Sequence, residues 1–389
     1  MKELSSKTKA LKQSDIRAVT ALINQYKGIN LGQGICDLPT PDPVKHGAIQ
    51  AIQENKSIYS PYSGFPALKS AVLKKYQTFN KIPLENESEV MISVGSSGAF
   101  VSASMALFEP GDEVILFEPF YGYHLGLLKL VGVEPKFCLT KAPKWEIDFD
   151  DLESKITSKT KAIIITTPGN PNGKVWTKPE LETLLALLIK YDLYAMVDEV
   201  YEYMTYDSFE HTSLASLQGA LERTITISSY SKTFNMTGWR LGSACGPAEI
   251  IEKMGLISDL VYICAPTPLQ HGLVEGLNME QTYFDSMKAD YQKKRDLFCK
   301  TLEDFGFDVY PPEGAYYAFV NFEKLSKTRK GFENDQAACK TLIQEAGVAS
   351  VPGGSFFSNH EDGKYYLRFC YAKEWEVLNR ACEQITSSK

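Results

Sequence analysis

Lys232 stands in the run Ser229-Tyr230-Ser231-Lys232-Thr233-Phe234-Asn235-Met236-Thr237-Gly238-Trp239-Arg240-Leu241-Gly242. The run follows the β-branched stretch Thr224–Ser228 and so falls at a strand's carboxyl end. A lysine just past a buried strand is desolvated and loses its proton more easily. A neutral amine is what a Schiff base with an aldehyde requires. Arg240, eight residues on, and Ser229 nearby could clamp a phosphate by charge-assisted hydrogen bonds. Aldehyde plus phosphate points to pyridoxal 5'-phosphate. Taken singly, a lysine or arginine is more often a solvated surface charge.

Other segments place polar groups at strand ends. Asp198-Glu199-Val200-Tyr201 closes one apolar run, and Thr167-Pro168-Gly169-Asn170-Pro171-Asn172-Gly173 follows another. Val94-Gly95-Ser96-Ser97-Gly98-Ala99 opens a helix after a strand, where small residues let backbone N–H groups approach a phosphate. Glu118-Pro119-Phe120-Tyr121 and Tyr366-Leu367-Arg368-Phe369-Cys370 complete the set, with Arg368 able to hold a carboxylate in a bidentate fork. Read alone these are caps, turns, core aromatics and an ordinary strand arginine.

Together, in this order, the segments resemble the class I/II, fold type I aminotransferases of the aspartate aminotransferase superfamily. The pattern around Lys232 is the specific part: Ser-Lys, an aromatic two residues later, then Gly-x-Arg-x-Gly. The resemblance implies that Lys232 carries the cofactor and shuttles the substrate's Cα proton. It implies that Asp198 pairs with the pyridine nitrogen, that Tyr201 and Asn170 meet the phenolic oxygen, and that Tyr121 stacks on the ring. Ser96, Ser97, Ser229 and Arg240 are expected around the phosphate, with Tyr59 reaching across from a second subunit of a homodimer. Gly34 and Arg368, with Asn170, are expected at the substrate carboxylate. The bonds before Pro119 and Pro171 are expected to be cis. Three departures from the pattern stand out: Thr167 for the usual Asn, Asn172 for Thr or Ser, and Cys36 where Pro is common. Ser97 stands where some dicarboxylate-preferring relatives have Lys.

The elements that must position these residues are legible from periodicity. Val90–Val94, Glu113–Phe117, Ala162–Thr167, Tyr194–Val197 and Thr224–Ser228 read as strands buried on both faces, as in a parallel sheet. Thr177-Lys178-Pro179-Glu180 is a capping box, and Leu181, Leu184, Leu185 and Leu188 follow at helical spacing. The βα alternation predicts an α/β fold: a three-layer large domain with a mostly parallel sheet, plus a smaller α+β domain. Residues 41–282 are expected to form the large domain and 283–389 the small one. Residues 1–40 are expected to pack with the small domain. Tyr283–Phe305 reads as one long helix, Asp335–Ala346 as another, Tyr316–Val320 and Tyr365–Cys370 as strands, with a terminal helix from Glu374.

Composition fits a soluble enzyme. The chain has 389 residues with 41 basic and 48 acidic, a net charge of −7 that offers no global basic field for nucleic acid. The eight cysteines form no Cys-x-x-Cys pair and the five histidines show no metal spacing, so no metal is expected and the thiols read as reduced in a cytoplasmic protein. Met1–Asp15 is polar and lacks the apolar core of a signal peptide, and no apolar run approaches a membrane span.

Competing motifs fail. Asp37 sits where a dinucleotide fingerprint needs its third Gly, Pro168 and Val175 break a P-loop, and Ser229-x-x-Lys232 lacks the companions of a β-lactamase. The expected reaction is transamination between an L-amino acid and a 2-oxo acid through a Lys232 Schiff base. The alternatives are a carbon–sulfur β-lyase or related lyase on the same scaffold, or a non-catalytic sensor, for whose DNA-binding domain the chain has no room.

Overall fold

The computed structural model describes Glu3, Ser5 and residues 15–389. Most of Met1–Asp15, the stretch read above as lacking a signal peptide, lies outside the described residues. Among the described residues, twelve strands form three sheets. The largest contains β2 (Val90–Val94), β3 (Glu113–Glu118), β4 (Glu134–Leu139), β5 (Thr160–Thr166), β6 (Tyr194–Asp198), β7 (Thr224–Ser229) and β8 (Leu241–Cys245). Their order is β2-β8-β7-β6-β5-β3-β4, and only β8 runs antiparallel to its neighbours.

Period-two alternation builds the layers. Ile163, Ile165, Ala195 and Val197 face one side and pack on Leu181, Leu184, Leu185 and Leu188. Ala162, Ile164, Met196, Ile225 and Ile227 face the other, against Ala99, Phe100 and Ala103. Burying each large aliphatic side chain contributes about 1.5–3 kcal/mol. The Lys178–Lys190 helix begins at Thr177 with a complete capping box to Glu180.

A separate three-stranded antiparallel sheet has β12 (Tyr366–Cys370) in the middle, between β11 (Val351–Pro352) and β9 (Tyr317–Asn321). The Gln281–Phe305, Asp335–Ala346 and Trp375–Ser387 helices share its core. The two-residue strands β1 (Ile29–Asn30) and β10 (Val348–Ala349) pair in parallel.

The sheet registers explain the site. Thr166, Asp198 and Ile227 lie side by side near the carboxyl ends of β5, β6 and β7. Ser229 pairs with Gly242 across β7 and β8, and Val94 pairs with Leu241 across β2 and β8. The Asn170 turn, the Asp198 turn, the Lys232 helix and Arg240 are thereby delivered to one end of one sheet.

Candidate active site

Lys232 sits in the four-residue helix Tyr230–Thr233, directly after β7. Its Nζ donates to the Gly34 carbonyl at 3.0 Å and lies 5.5 Å from the Tyr316 ring centroid. Burial is the main reason its pKa falls to about 8, with Arg368 and Arg240 pushing the same way. Among the described residues, no carboxylate pairs with this amine.

Asp198, the last residue of β6, is buried, and its Oδ2 accepts from His124 Nε2 at 3.0 Å. Its Oδ1 accepts from the Val200 amide at 3.2 Å. His124 stacks on Phe100, with centroids 4.5 Å apart, and meets Tyr121 edge-on at 5.2 Å. Tyr201 and Tyr317 hydroxyls are 3.0 Å apart, and burial holds the Tyr201 hydroxyl well above its usual pKa.

Arg368, in the central strand β12, is 1% exposed. It donates to Asn170 Oδ1 at 2.9 Å and to the Gly32 carbonyl at 2.7 Å, and its Nε has no partner. Tyr317 and Phe356 flank the guanidinium, with ring centroids at 4.4 and 4.9 Å. Among the described residues no carboxylate neutralises it. With Oδ1 taken, the Asn170 amide nitrogen is left to donate elsewhere.

Gly95 opens the Gly95–Leu107 helix at φ +66°, a conformation that suits glycine. Its amide donates to the Arg240 carbonyl at 2.9 Å, and a Cβ there would lie 2.4 Å from Arg240 Nη2. The arginine side chain therefore lies over the helix's positive end, beside half-buried Ser96 and exposed Ser97. Arg240 is exposed, and its Nη1 donates to the Thr237 carbonyl at 3.0 Å.

The structure thus gathers Lys232, Asp198, Tyr201, Tyr121, Asn170 and Arg368 through these contacts, and Arg240 with the Ser96–Ser97 helix start. Two of the expected residues, Ser229 and Gly34, make contacts that the sequence did not point to. Ser229 spends its hydroxyl on a helix cap, accepting from the Ser231 amide at 3.2 Å. Gly34 presents its carbonyl to Lys232 and to the Tyr316 hydroxyl, so within this chain the backbone group on Arg368 is that of Gly32. Tyr59 is 76% exposed and makes none of these contacts. Glu118–Pro119 and Asn170–Pro171 are both cis, as are Ala142–Pro143 and Thr167–Pro168.

Sequence reasoning missed His124, Tyr316, Tyr317 and Phe356. His124 follows Tyr121 by three residues on a helical turn, and that spacing was a usable signal. Tyr316 and Tyr317 read only as the start of a strand. Phe356 gave no signal, because its place beside Arg368 comes from the fold of the loop between the Gly353–Phe356 turn and the Tyr366–Cys370 strand, which carries no motif.

The geometry fits pyridoxal phosphate. A desolvated amine of lowered pKa, a histidine-backed acid, an aromatic face and a glycine-opened helix end under an arginine match its aldehyde, pyridine nitrogen, ring and phosphate.

The model of the aminotransferase class I and II family matches residues 26–385. The chain is 33% identical to the aromatic-amino-acid aminotransferase 2 of Thermococcus litoralis over 386 residues, covering 98% of this chain and 97% of that protein. It is 33% identical to the aspartate aminotransferase of Pyrococcus abyssi, with the same coverage. Among solved structures, a single mutant of Thermus thermophilus aspartate aminotransferase superposes with a TM-score of 0.91 at 30% identity, covering 100% of both chains.

Proposed function

The chain belongs to the class I and II aminotransferase family and is an aminotransferase, and on that premise we propose how its residues divide the work. The reaction is pyridoxal phosphate-dependent transamination between an amino acid and a 2-oxo acid; the relatives' names favour it over lyase chemistry. When bound, the cofactor supplies an electrophilic carbon and a ring that withdraws electrons from the substrate's Cα. Lys232, Asp198, Tyr201, Asn170, Tyr121, Arg240, Ser96 and Ser97 would hold it.

Lys232 is the nucleophilic amine. With a pKa of about 8, roughly a tenth of the population is neutral at pH 7, far more than for a solvated lysine. As a free base, the same Nζ would take the proton from the substrate's Cα and carry it. Asp198 keeps a proton on the pyridine nitrogen, and His124 fixes the direction of its carboxylate. The Tyr201 hydroxyl and the Asn170 amide donate toward the phenolic oxygen. Arg368 takes the α-carboxylate.

One observation carries this reading: two desolvated cations, half-buried Lys232 and buried Arg368, face one site with no carboxylate of the described chain on either. A buried charge without a counter-ion is costly unless a ligand supplies it. A substrate carboxylate fits Arg368, and an aldehyde fits Lys232.

The amino donor is assigned as a large, uncharged amino acid. Arg368 lies against Tyr317 and Phe356, and behind them Trp145, Phe319 and Tyr366 continue an aromatic cluster. Relatives named for aromatic and for aspartate substrates are equally similar, so resemblance alone does not choose. A panel of donors against several oxo acids tests this: aromatic and other bulky neutral donors are expected to lead in kcat/KM, and a preference for aspartate would overturn it.

We assign residues 41–282 to a cofactor-binding domain and 283–389, with the segment before 41, to a smaller one. A homodimer is supported by exposed Ile58, Tyr59, Leu260, Val261 and Ile263. The loop bearing Tyr59 is tied to the neighbouring segment by Ser60 N donating to Thr267 Oγ1 at 3.2 Å. In that dimer Tyr59 would reach the partner's phosphate site. Eight free cysteines support a reducing compartment such as the cytoplasm, and no described helix is long and apolar enough to cross a membrane.

A further inference from the structure

Behind the cofactor-facing side of the Asp198–Tyr201 turn lies a buried ion cluster that the reaction does not use. On this turn two pairs of residues interleave at a spacing of three. Asp198 and Tyr201 meet His124 and the Tyr317 hydroxyl. Glu199 and Glu202, 0% and 2% exposed, meet a different set of partners. Asn80 Nδ2 lies 2.8 Å from Glu202 Oε2, 3.1 Å from Glu199 Oε2 and 2.8 Å from Ser213 Oγ. Ser213 Oγ donates to Glu199 Oε2 at 2.7 Å, and His211 Nε2 lies 3.0 Å from the same oxygen. Lys75 Nζ reaches Glu202 Oε1 at 2.5 Å, with the Tyr76, Phe79 and Tyr203 ring centroids 4.5, 5.6 and 5.8 Å away. Glu199, Glu202 and His211 have their ligand atoms within 4.8 Å of one another, but the cation at Glu202 is the chain's own ammonium.

We infer that this cluster positions the turn, so that Lys75, Glu199 and Glu202 are positioning residues for the Asp198 carboxylate and the Tyr201 hydroxyl. The inference rests on the reading of those two groups as cofactor contacts. A buried ion pair gives little net stability over apolar residues of the same shape. What it gives is placement. Each glutamate next to a cofactor-facing residue is pinned by short polar contacts that a shifted turn would break, and breaking them leaves a buried carboxylate unpaired. The anchor is external to the turn: Lys75 belongs to the Pro66–Thr78 helix, which begins just after the loop bearing Tyr59.

The test compares full-length wild type with Lys75→Met, Glu202→Gln, the Lys75→Met/Glu202→Gln double variant, Glu199→Gln and Lys75→Arg. The measurements are the Tm without cofactor, the pyridoxal phosphate dissociation constant, the pH midpoint of the visible band of the lysine-linked cofactor, and kcat and KM. Each neutralising variant is expected to weaken cofactor binding about tenfold and to move the pH midpoint by about half a unit. KM for the donor should change little, because Arg368 is untouched. The double variant, with both charges gone, should return to within about 3 °C of the wild-type Tm yet keep the weakened binding and the shifted midpoint. Lys75→Arg should restore both. A double variant with wild-type Tm, affinity and midpoint would show a purely structural cluster and overturn the inference. Should Lys75→Met fail to fold, the double variant and Glu199→Gln decide. A wild type that takes up no cofactor overturns the reading of the site and this inference with it; a wild type that loads normally beside an unaltered double variant overturns this inference alone.

Discussion

Lys232 is half-buried and Arg368 buried, and their surroundings ask different things of the two cations. Desolvation, helped by the nearby Arg368 and Arg240 charges, favours the neutral form of Lys232. Its depressed pKa sets a pH dependence with a definite sign. The folded state binds fewer protons at this site than the unfolded chain between pH about 8 and the ordinary lysine value of 10.5, so its stability contribution rises with pH across that window. The cofactor-free Lys232→Met variant, which lacks the group, should exceed wild type in Tm most below pH 8, with the gap narrowing toward pH 10. A constant gap would mean that Lys232 is not desolvated. Arg368 keeps its charge and waits for an anion. Replacing it by Ala should cost about 2–5 kcal/mol in kcat/KM, chiefly through KM for amino acids, because a charged hydrogen-bonded partner is lost. Near-normal kinetics would place the carboxylate elsewhere.

Among the elements, the Gly95–Leu107 helix and the Lys178–Lys190 helix make separable predictions. Gly95→Ala would place a Cβ against Arg240 Nη2 at φ +66°. The guanidinium is exposed and can swing away, so the expected outcome is weaker cofactor binding with only about 1 kcal/mol lost in stability. Thr177→Ala removes the cap of a helix that packs on the opposite side of the sheet from Gly95–Leu107. It should cost about 0.5–2 kcal/mol of stability with kcat unchanged; a changed kcat would mean this helix bears on the site. These elements also show where sequence was informative. Short apolar runs at 90–94, 113–117, 162–167, 194–197 and 224–228 fell on the strands observed at 90–94, 113–118, 160–166, 194–198 and 224–229, and the Asp335–Ala346 helix was read to the residue. β4 was missed because Glu134-Pro135-Lys136 carries polar residues and a proline into an edge strand, where exposure permits them. β8 was missed because Leu241–Cys245 is short and built of small residues that fit between two strands. Within the site, groups on short motifs were legible from the chain. The Tyr317–Tyr201 contact was not, because it joins segments 116 residues apart, and the Phe356 flank was not, because the loop between Phe356 and the Arg368 strand carries no motif.

At the scale of the whole molecule, the site is read as shared between two subunits. Tyr59 stands exposed on its own chain, and so does Arg240, whose Nη1 donates to the Thr237 carbonyl. If Tyr59 completes the neighbouring site, a Lys232→Ala chain and a Tyr59→Ala chain complement each other. Re-associated mixtures should recover roughly a quarter of wild-type activity, since half the dimers then hold one intact site of two. No recovery would mean that Tyr59 serves its own chain or neither. The central claim is the covalent bond to one amine. Borohydride reduction of the protein loaded with pyridoxal phosphate, followed by peptide mapping, tests it most directly. A single pyridoxyl label on Lys232 is expected, suppressed by prior incubation with an amino donor; a label elsewhere, or none, would overturn the assignment.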